Sequence, residues 1–194
     1  MASIQLINRV YNLLGREHQD SSNSDDWGQI ISDTIDSKIK LLLESNIWSF
    51  ALKYKKLGRK TKNDNPYYNY EYELPVDCIK VLEVYKPFNT NNTTKISREI
   101  SSYLFEILGN SLYTNIDEIL VKYKIDNVSM NQIPQAFIEA LAYLSASEVA
   151  LTLLENSNLS KMFYMEAKNY KNIARANDTQ TGWNRKFNQF RNSY

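Results

Sequence analysis

The sequence predicts an α+β fold that is mainly α-helical. It predicts a four-helix bundle with a small antiparallel β-sheet inserted between helices two and three, and an extended C-terminal arm. Apolar residues recur at helical spacing in two early and two late stretches, and they alternate with polar residues between these stretches. No apolar period continues beyond residue 178. The predicted segments are residues 1–47, 48–127, 128–178 and 179–194.

The first two helices are predicted over Ser3–Leu14 and Asp25–Asn46. Each carries an apolar stripe on one side only, so each requires a neighbour to cover it. Gly15 is placed to end the first helix in the left-handed conformation that glycine tolerates. Ser24 or Asp25 can accept hydrogen bonds from the free N–H groups at the start of the second helix.

The middle of the chain alternates apolar and polar residues with the period of a half-buried strand. A hairpin is expected at Gly109-Asn110, because glycine favours a tight two-residue turn. Pro87 is expected to end the strand before it, because proline cannot donate to a β-ladder. The predicted strands cover Trp48–Lys55, Tyr72–Leu74, Ile79–Lys86, Tyr103–Leu108, Ser111–Thr114 and Glu118–Ile125.

The last two helices are predicted over Pro134–Glu155 and Leu159–Asn177, with Asn158 as a candidate cap of the second. The first of these has apolar side chains on two faces, one through Phe137 and Leu141 and the other through Ile138. Small residues between them allow close helix approach. The helix is therefore expected to be buried among other helices.

Composition argues against an enzyme and against a strong electrostatic partner. The chain of 194 residues is 43% hydrophobic and 23% charged, with a net charge of +1. It has one histidine, His18, and one cysteine, Cys78, so no catalytic triad and no metal-binding Cys/His cluster is expected, and no cofactor. No secretory signal and no apolar run of about 20 residues is seen, which predicts cytoplasmic synthesis and no membrane association.

A basic run is the one notable charge cluster. Nucleic acid or an acidic partner surface could bind it, so it is a candidate for lining a channel or contacting a partner. Alternatively, these cations form the solvated face of a strand and its loop. The run comprises Lys53, Lys55, Lys56, Arg59, Lys60 and Lys62.

The last fifteen residues combine aromatic and cationic side chains. Exposed aromatic side chains on a segment without its own core favour burial against a partner. The residues that would bind are Trp183, Arg185, Lys186, Phe187, Phe190, Arg191 and Tyr194.

The order of these signals resembles the head-to-tail adaptor (connector) proteins of short-tailed bacteriophages, the tail tubular protein A type. The resemblance covers roughly residues 3 to 183. Three motifs carry it: a W-x-F-A strand start, a Y-x-L-P-x-D turn and a late A-F-x-x-A-L-A helix. They comprise Trp48, Phe50, Ala51, Tyr72, Leu74, Pro75, Asp77, Ala136, Phe137, Ala140, Leu141 and Ala142.

The resemblance implies a structural virion protein without catalytic residues. It implies a dodecameric ring at the head-tail junction, between the portal protein and further tail or ring proteins, with packaged double-stranded DNA passing through the lumen. Residues 183–194 would form the arm that binds the portal. The frequent Asn, Lys, Ile and Tyr would suit a phage of the crAss-like type. The alternative is a monomeric nucleic-acid-binding module that uses the basic run.

Overall fold

A computed structural model describes residues 4–16, 26–60, 63, 65–90, 93–100 and 104–191, with side chains described outside 88–99 and 180–191. These residues form four α-helices and two small antiparallel β-sheets. The chain divides into two compact units, one made of residues 1–50 and 128–194 and the other of residues 51–127. The mixed α and β content predicted from the sequence is confirmed.

The helices belong to the first unit and the strands to the second. The helices are α1 (Ile4–Leu13), α2 (Asp26–Ser45), α3 (Gln135–Thr152) and α4 (Ser157–Arg191). The strands are β1 (Leu52–Lys56), β2 (Tyr70–Glu73), β3 (Cys78–Thr90), β4 (Thr93–Glu99), β5 (Phe105–Leu108), β6 (Ser111–Thr114) and β7 (Leu120–Ile125).

Gly15 ends α1 as predicted. Its φ is +69°, and its N–H donates to the Asn12 carbonyl while the Arg16 N–H reaches back to the Tyr11 carbonyl. This pair of bonds is the Schellman arrangement, which satisfies carbonyls that the helix end leaves free. The Arg16 guanidinium lies 3.5 Å from the centre of the Trp27 ring near the start of α2. The cap candidates Ser24 and Asp25 lie outside the described residues.

Helix α3 contacts each of the other three helices. Phe137, Leu141 and Ala146 on α3 are at most 1% exposed. Its expected burial among helices is therefore confirmed. An ion pair at the edge of this packing also links α1 to α3, because Arg9 on α1 donates to the Glu139 carboxylate on α3 at 2.9 Å.

The turn between α3 and α4 differs from the prediction in its cap. Asn156, rather than Asn158, accepts a hydrogen bond from the Leu159 N–H at 3.0 Å. Glu155 before it has a φ of +50°, and the Asn156 N–H returns to the carbonyl of Ala150. The left-handed residue ends α3 and places Asn156 at the first turn of α4.

Helix α4 continues to Arg191, so residues 179–191 are helical and the prediction of an extended backbone there was wrong. The segment has no proline, and Gly182 is its single glycine. Adding residues to an existing helix avoids the cost of nucleation, so a segment without an apolar period can still extend α4.

The strands form two sheets where one was predicted. The first has the order β1-β7-β3-β4 and the second the order β2-β6-β5. The hairpin at Gly109-Asn110 is confirmed, and Gly109 has a φ of +58°. Alternation along one strand indicates which residues share a face, but it does not say which strand lies beside it.

Two strand predictions were wrong. β3 continues through Pro87 and pairs with β4, which the sequence did not indicate, and the register shifts between Lys86 and Pro87. A bulge is one of the few places where a sheet tolerates proline. The expected strand from Trp48 begins only at Leu52, after a short 3-10 turn. This turn breaks the alternation, so Trp48 is 1% exposed whereas Tyr54 is 54% exposed.

Candidate interaction surfaces

Most of the predicted basic run is neutralised by nearby carboxylates. Lys53 pairs with Asp77 at 2.9 Å and Lys56 with Glu118 at 2.9 Å. Arg59 pairs with Asp117, and its guanidinium lies 4.3 Å from the Tyr70 ring centre.

Three cations of the run remain, of which Lys60 pairs with Glu71. Lys55 is exposed and forms no ion pair with the described residues. Lys62 lies outside the described part of the chain. Because most of its charge is balanced locally, the run fits the solvated strand-and-loop interpretation better than a free cationic surface.

Lys60 forms a serine–lysine cluster with Ser111 and Glu71. Its ammonium donates to the Glu71 carboxylate at 2.6 Å and to Ser111 Oγ at 2.9 Å. Ser111 in turn donates to Glu71 at 2.7 Å. The hydrogen bond to Glu71 raises the pKa of Lys60, and the bonds from Lys60 and Ser111 lower the pKa of Glu71.

A charged lysine cannot take a proton from Ser111, which a serine–lysine nucleophile would require. The cluster instead ties the loop at Lys60 to the second sheet. Glu71 is 6% exposed, so its charge needs this partner.

The residues that carry the adaptor resemblance are engaged in structural contacts. The rings of Trp48 and Phe137 meet edge to face at 5.0 Å, and Phe50 lies 5.2 Å from Phe137. The Tyr72 hydroxyl donates to the Ile116 carbonyl and accepts from the Glu118 N–H, each at 3.1 Å.

The turn motif is held by its aspartate. Asp77 accepts from Lys53 at 2.9 Å and from the Tyr123 hydroxyl at 3.2 Å. The Lys53 hydrogen bond lowers the pKa of Asp77, whereas burial raises the pKa of Tyr123 to about 12. At neutral pH the Asp77 carboxylate is therefore charged and the Tyr123 hydroxyl is protonated, so the hydroxyl can donate the hydrogen bond between them.

The single cysteine is not activated. Cys78 is partly buried, and this burial raises its pKa to about 11, so the thiol stays protonated at neutral pH. His18 lies outside the described residues. Within the described residues, no group of three or more His, Cys, Asp or Glu side chains could hold a metal ion.

The predicted portal-binding residues fall on the last part of α4, where the structure describes the backbone only. Trp183, Arg185, Lys186, Phe187, Phe190 and Arg191 belong to the helix, and Tyr194 lies outside the described residues. Their binding to the portal stays a prediction.

An apolar groove between α2, α3 and α4 was not predicted. It encloses about 240 Å³. Leu41 and Tyr164 at its edges are 54% and 56% exposed. The groove is lined by Leu41, Leu42, Ser45, Ala140, Leu144, Tyr164, Ala167, Lys168 and Lys171. The sequence shows the apolar stripe of each helix, but a groove depends on where three helices lie relative to one another.

No protein-family model matches this chain, and a search of curated proteins finds no similar sequence. Among the helices of the described residues, none is both long and apolar enough to cross a membrane.

Proposed function

We propose that this chain is a structural subunit of a closed ring between the portal and the tail of a short-tailed bacteriophage. In this proposal the helices of the first unit form a four-helix bundle, and the strands form an elaboration inserted between α2 and α3. The ring is a conduit through which packaged double-stranded DNA leaves the capsid. The protein is made in the host cytoplasm and incorporated into the virion.

The observation that supports this proposal most is the apolar surface that the helical unit leaves uncovered. Leu41, Met162 and Met165 are 54%, 53% and 64% exposed, and Leu41 borders the apolar groove. Large exposed apolar side chains beside a concave apolar surface are typical of protein–protein interfaces. A protein that assembles with copies of itself would cover them.

The contacts of the motif residues are consistent with a scaffold. Trp48, Tyr72 and Phe137 are each 1% exposed. The cluster of Lys60 and Ser111 holds a protonated lysine, which disfavours nucleophilic chemistry at this cluster. We therefore propose an assembly role and no catalytic role for these residues.

The portal is the proposed partner of the C-terminal part of α4, through Trp183, Phe187, Phe190 and the adjacent cations. Further tail or ring proteins would bind at the opposite side of the ring. The ion pairs of Lys53, Lys56, Arg59 and Lys60 argue against the alternative of a monomeric nucleic-acid-binding module that uses this loop.

Size-exclusion chromatography with light scattering tests the proposal, with and without the cognate portal protein. The proposal predicts a large homo-oligomer, alone or assembled on the portal. A monomer that stays unchanged in the presence of portal would contradict it. Binding of duplex DNA by that monomer, with the steep salt dependence of phosphate contacts, would support the alternative.

A further inference from the structure

We propose that the groove between α2, α3 and α4 binds a second copy of this chain, through an exposed methionine face on the α4 helix of that copy. The inference rests on the proposed ring function and names the two surfaces through which neighbouring subunits would meet. The methionine face consists of Met162, Met165 and Ile173.

The groove suits protein side chains better than a small-molecule ligand. Its volume of about 240 Å³ lies below the roughly 300–1,000 Å³ of common ligand pockets. Its lining is mainly aliphatic, with Leu41 and Leu144 on different helices and two lysines on α4. A few apolar side chains from a partner helix would fill such a space, as in helix-in-groove recognition.

The methionine face lies on one side of α4, where Asn169 interrupts it, and no described element covers it. Met162, Met165 and Ile173 are 53%, 64% and 42% exposed. Met165 and Ile173 follow Met162 by three and eleven residues, and this spacing places all three on one side of a helix. Phe163 and Ala167, which are 4% and 5% exposed, form the buried side of the same helix. Methionine adapts its shape to an irregular apolar surface, which suits it to a groove.

The charges beside the two surfaces allow one contact between opposite charges, because two lysines border the groove, whereas both Glu166 and Lys161 are exposed beside the methionine face. Lys168 and Lys171 line the groove, and neither forms an ion pair among the described residues. Glu166 is exposed beside Met165, and it too forms no ion pair within the described part of the chain. Opposite charges at the edges of an apolar contact favour one partner and one register. The aliphatic lining favours a protein segment over the phosphate backbone of DNA.

Both surfaces can be used by one molecule at the same time. Tyr164, Lys168 and Lys171 border the groove from one side of α4, whereas Met162 and Met165 lie on another side. The contact is therefore heterologous, because each copy offers its methionine face to one neighbour and its groove to the other. Contacts of this kind form a ring when the rotation between subunits closes.

Paired variants test the contact in the full chain. The groove variant carries Lys168→Glu and Lys171→Glu, and the stripe variant carries Met162→Lys and Met165→Lys. All four residues lie at the surface or its edge, and circular dichroism checks that both variants fold. A control with Lys80→Glu reverses a charge at an exposed position of the other unit.

Light scattering, with and without portal, is expected to show that each variant fails to form the wild-type oligomer while the control assembles. An equal mixture of the two variants is expected to form complexes at least twice the monomer mass. In the mixture, the intact methionine face of one variant meets the intact groove of the other.

Other outcomes would overturn the inference in distinguishable ways. Normal assembly of either variant would leave the ring proposal standing and remove this interface. Failure of the mixture to recover any complex would exclude the heterologous pairing. Loss of duplex DNA binding in the groove variant, with normal assembly, would assign the lysines to DNA. A wild-type protein that never assembles, even with portal, would contradict the proposed function itself.

Discussion

The carboxylate of Asp178 binds Ser49 through both the backbone and the side chain of the serine. It accepts from the Ser49 N–H at 3.0 Å and from the Ser49 hydroxyl at 2.6 Å. Asp178 lies on α4, and Ser49 begins the short turn that follows Trp48. Ser49 and Asp178 lie 129 residues apart in the sequence. The Asp178 side chain therefore links the early and late stretches of the sequence that form the helical unit.

Replacing Asp178 by alanine should destabilise the protein. The change removes charge-assisted hydrogen bonds to a partly buried backbone group, for which a loss of about 1.5–3 kcal/mol is expected. Urea unfolding followed by circular dichroism measures the free energy of unfolding. The control is Glu106→Ala, which removes an exposed carboxylate that has no ion pair within the described residues. Equal effects of the two changes would show that the Ser49 contact contributes no specific stability.

The Trp48 indole caps the end of α2. Its Nε1–H donates to the Leu42 carbonyl at 2.8 Å, and the ring is 1% exposed. Trp48→Phe keeps an aromatic ring but removes one of two donors to that carbonyl, since Ser45 Oγ also donates to it at 2.8 Å. A loss of about 0.5–1.5 kcal/mol in unfolding free energy is therefore expected. Trp27→Phe, at a half-exposed ring, should cost less in the same unfolding experiment. The reverse order would contradict the capping role.

Lys60→Ala should lower the stability of the protein without changing its affinity for DNA. The change leaves the buried Glu71 carboxylate without its cation. Lys55→Ala is the matched control, because Lys55 is exposed and has no ion pair within the described residues. Thermal unfolding and fluorescence anisotropy with duplex DNA measure the two properties. A fall in DNA affinity for both variants, with unchanged unfolding, would favour the nucleic-acid interpretation of the basic run.

Glu71 should make the free energy of unfolding depend on pH in the acid range. Its pKa is lowered in the folded protein, chiefly by the Lys60 hydrogen bond. Its contribution is therefore present above the unfolded pKa of about 4.3 and is lost as pH falls through the lower folded pKa. Glu71→Gln should show a smaller loss of unfolding free energy below about pH 4 than the wild type.

The exposed Glu106 provides the comparison for this pH series. Glu106→Gln should retain the wild-type pH dependence, because Glu106 has no ion pair within the described residues. If the Glu71 and Glu106 variants have the same acid profile, the Lys60–Glu71 pair does not produce the pH dependence.

Deleting residues 180–194 should leave the helical unit folded and weaken attachment to the portal. Asp178 and the buried Ala174 remain in the shortened α4, so the described packing of this helix is retained. Circular dichroism and portal co-sedimentation measure the two outcomes. In the full-length chain, the triple change Trp183→Ala, Phe187→Ala and Phe190→Ala should weaken attachment similarly. Unfolding on deletion would place the segment in the core instead.

Local features of this fold could be predicted from the sequence. Gly15 and Gly109 mark a helix end and a hairpin, because each needs a positive φ that glycine adopts readily. The alternation also predicted a half-buried strand over Glu118–Ile125, and Val121 and Tyr123 in β7 are at most 2% exposed. These features depend on the residues next to them in the chain.

Features that depend on distant residues could not be predicted. The carboxylate partners of Lys60, Lys53 and Arg59 lie 11, 24 and 58 residues away in the sequence. The basic run alone therefore did not indicate that these cations form ion pairs. The extra strand β4 pairs across a bulge at Pro87, where a local rule predicted an end. The groove could not be predicted either, because it depends on how α2, α3 and α4 pack against one another.

Electron microscopy of the full-length protein with its cognate portal tests the central claim most directly. Class averages are expected to show a closed ring of this chain on the portal, with a central channel wide enough for duplex DNA. Single copies bound to the portal without contact to one another, or no binding at all, would contradict a ring-forming adaptor.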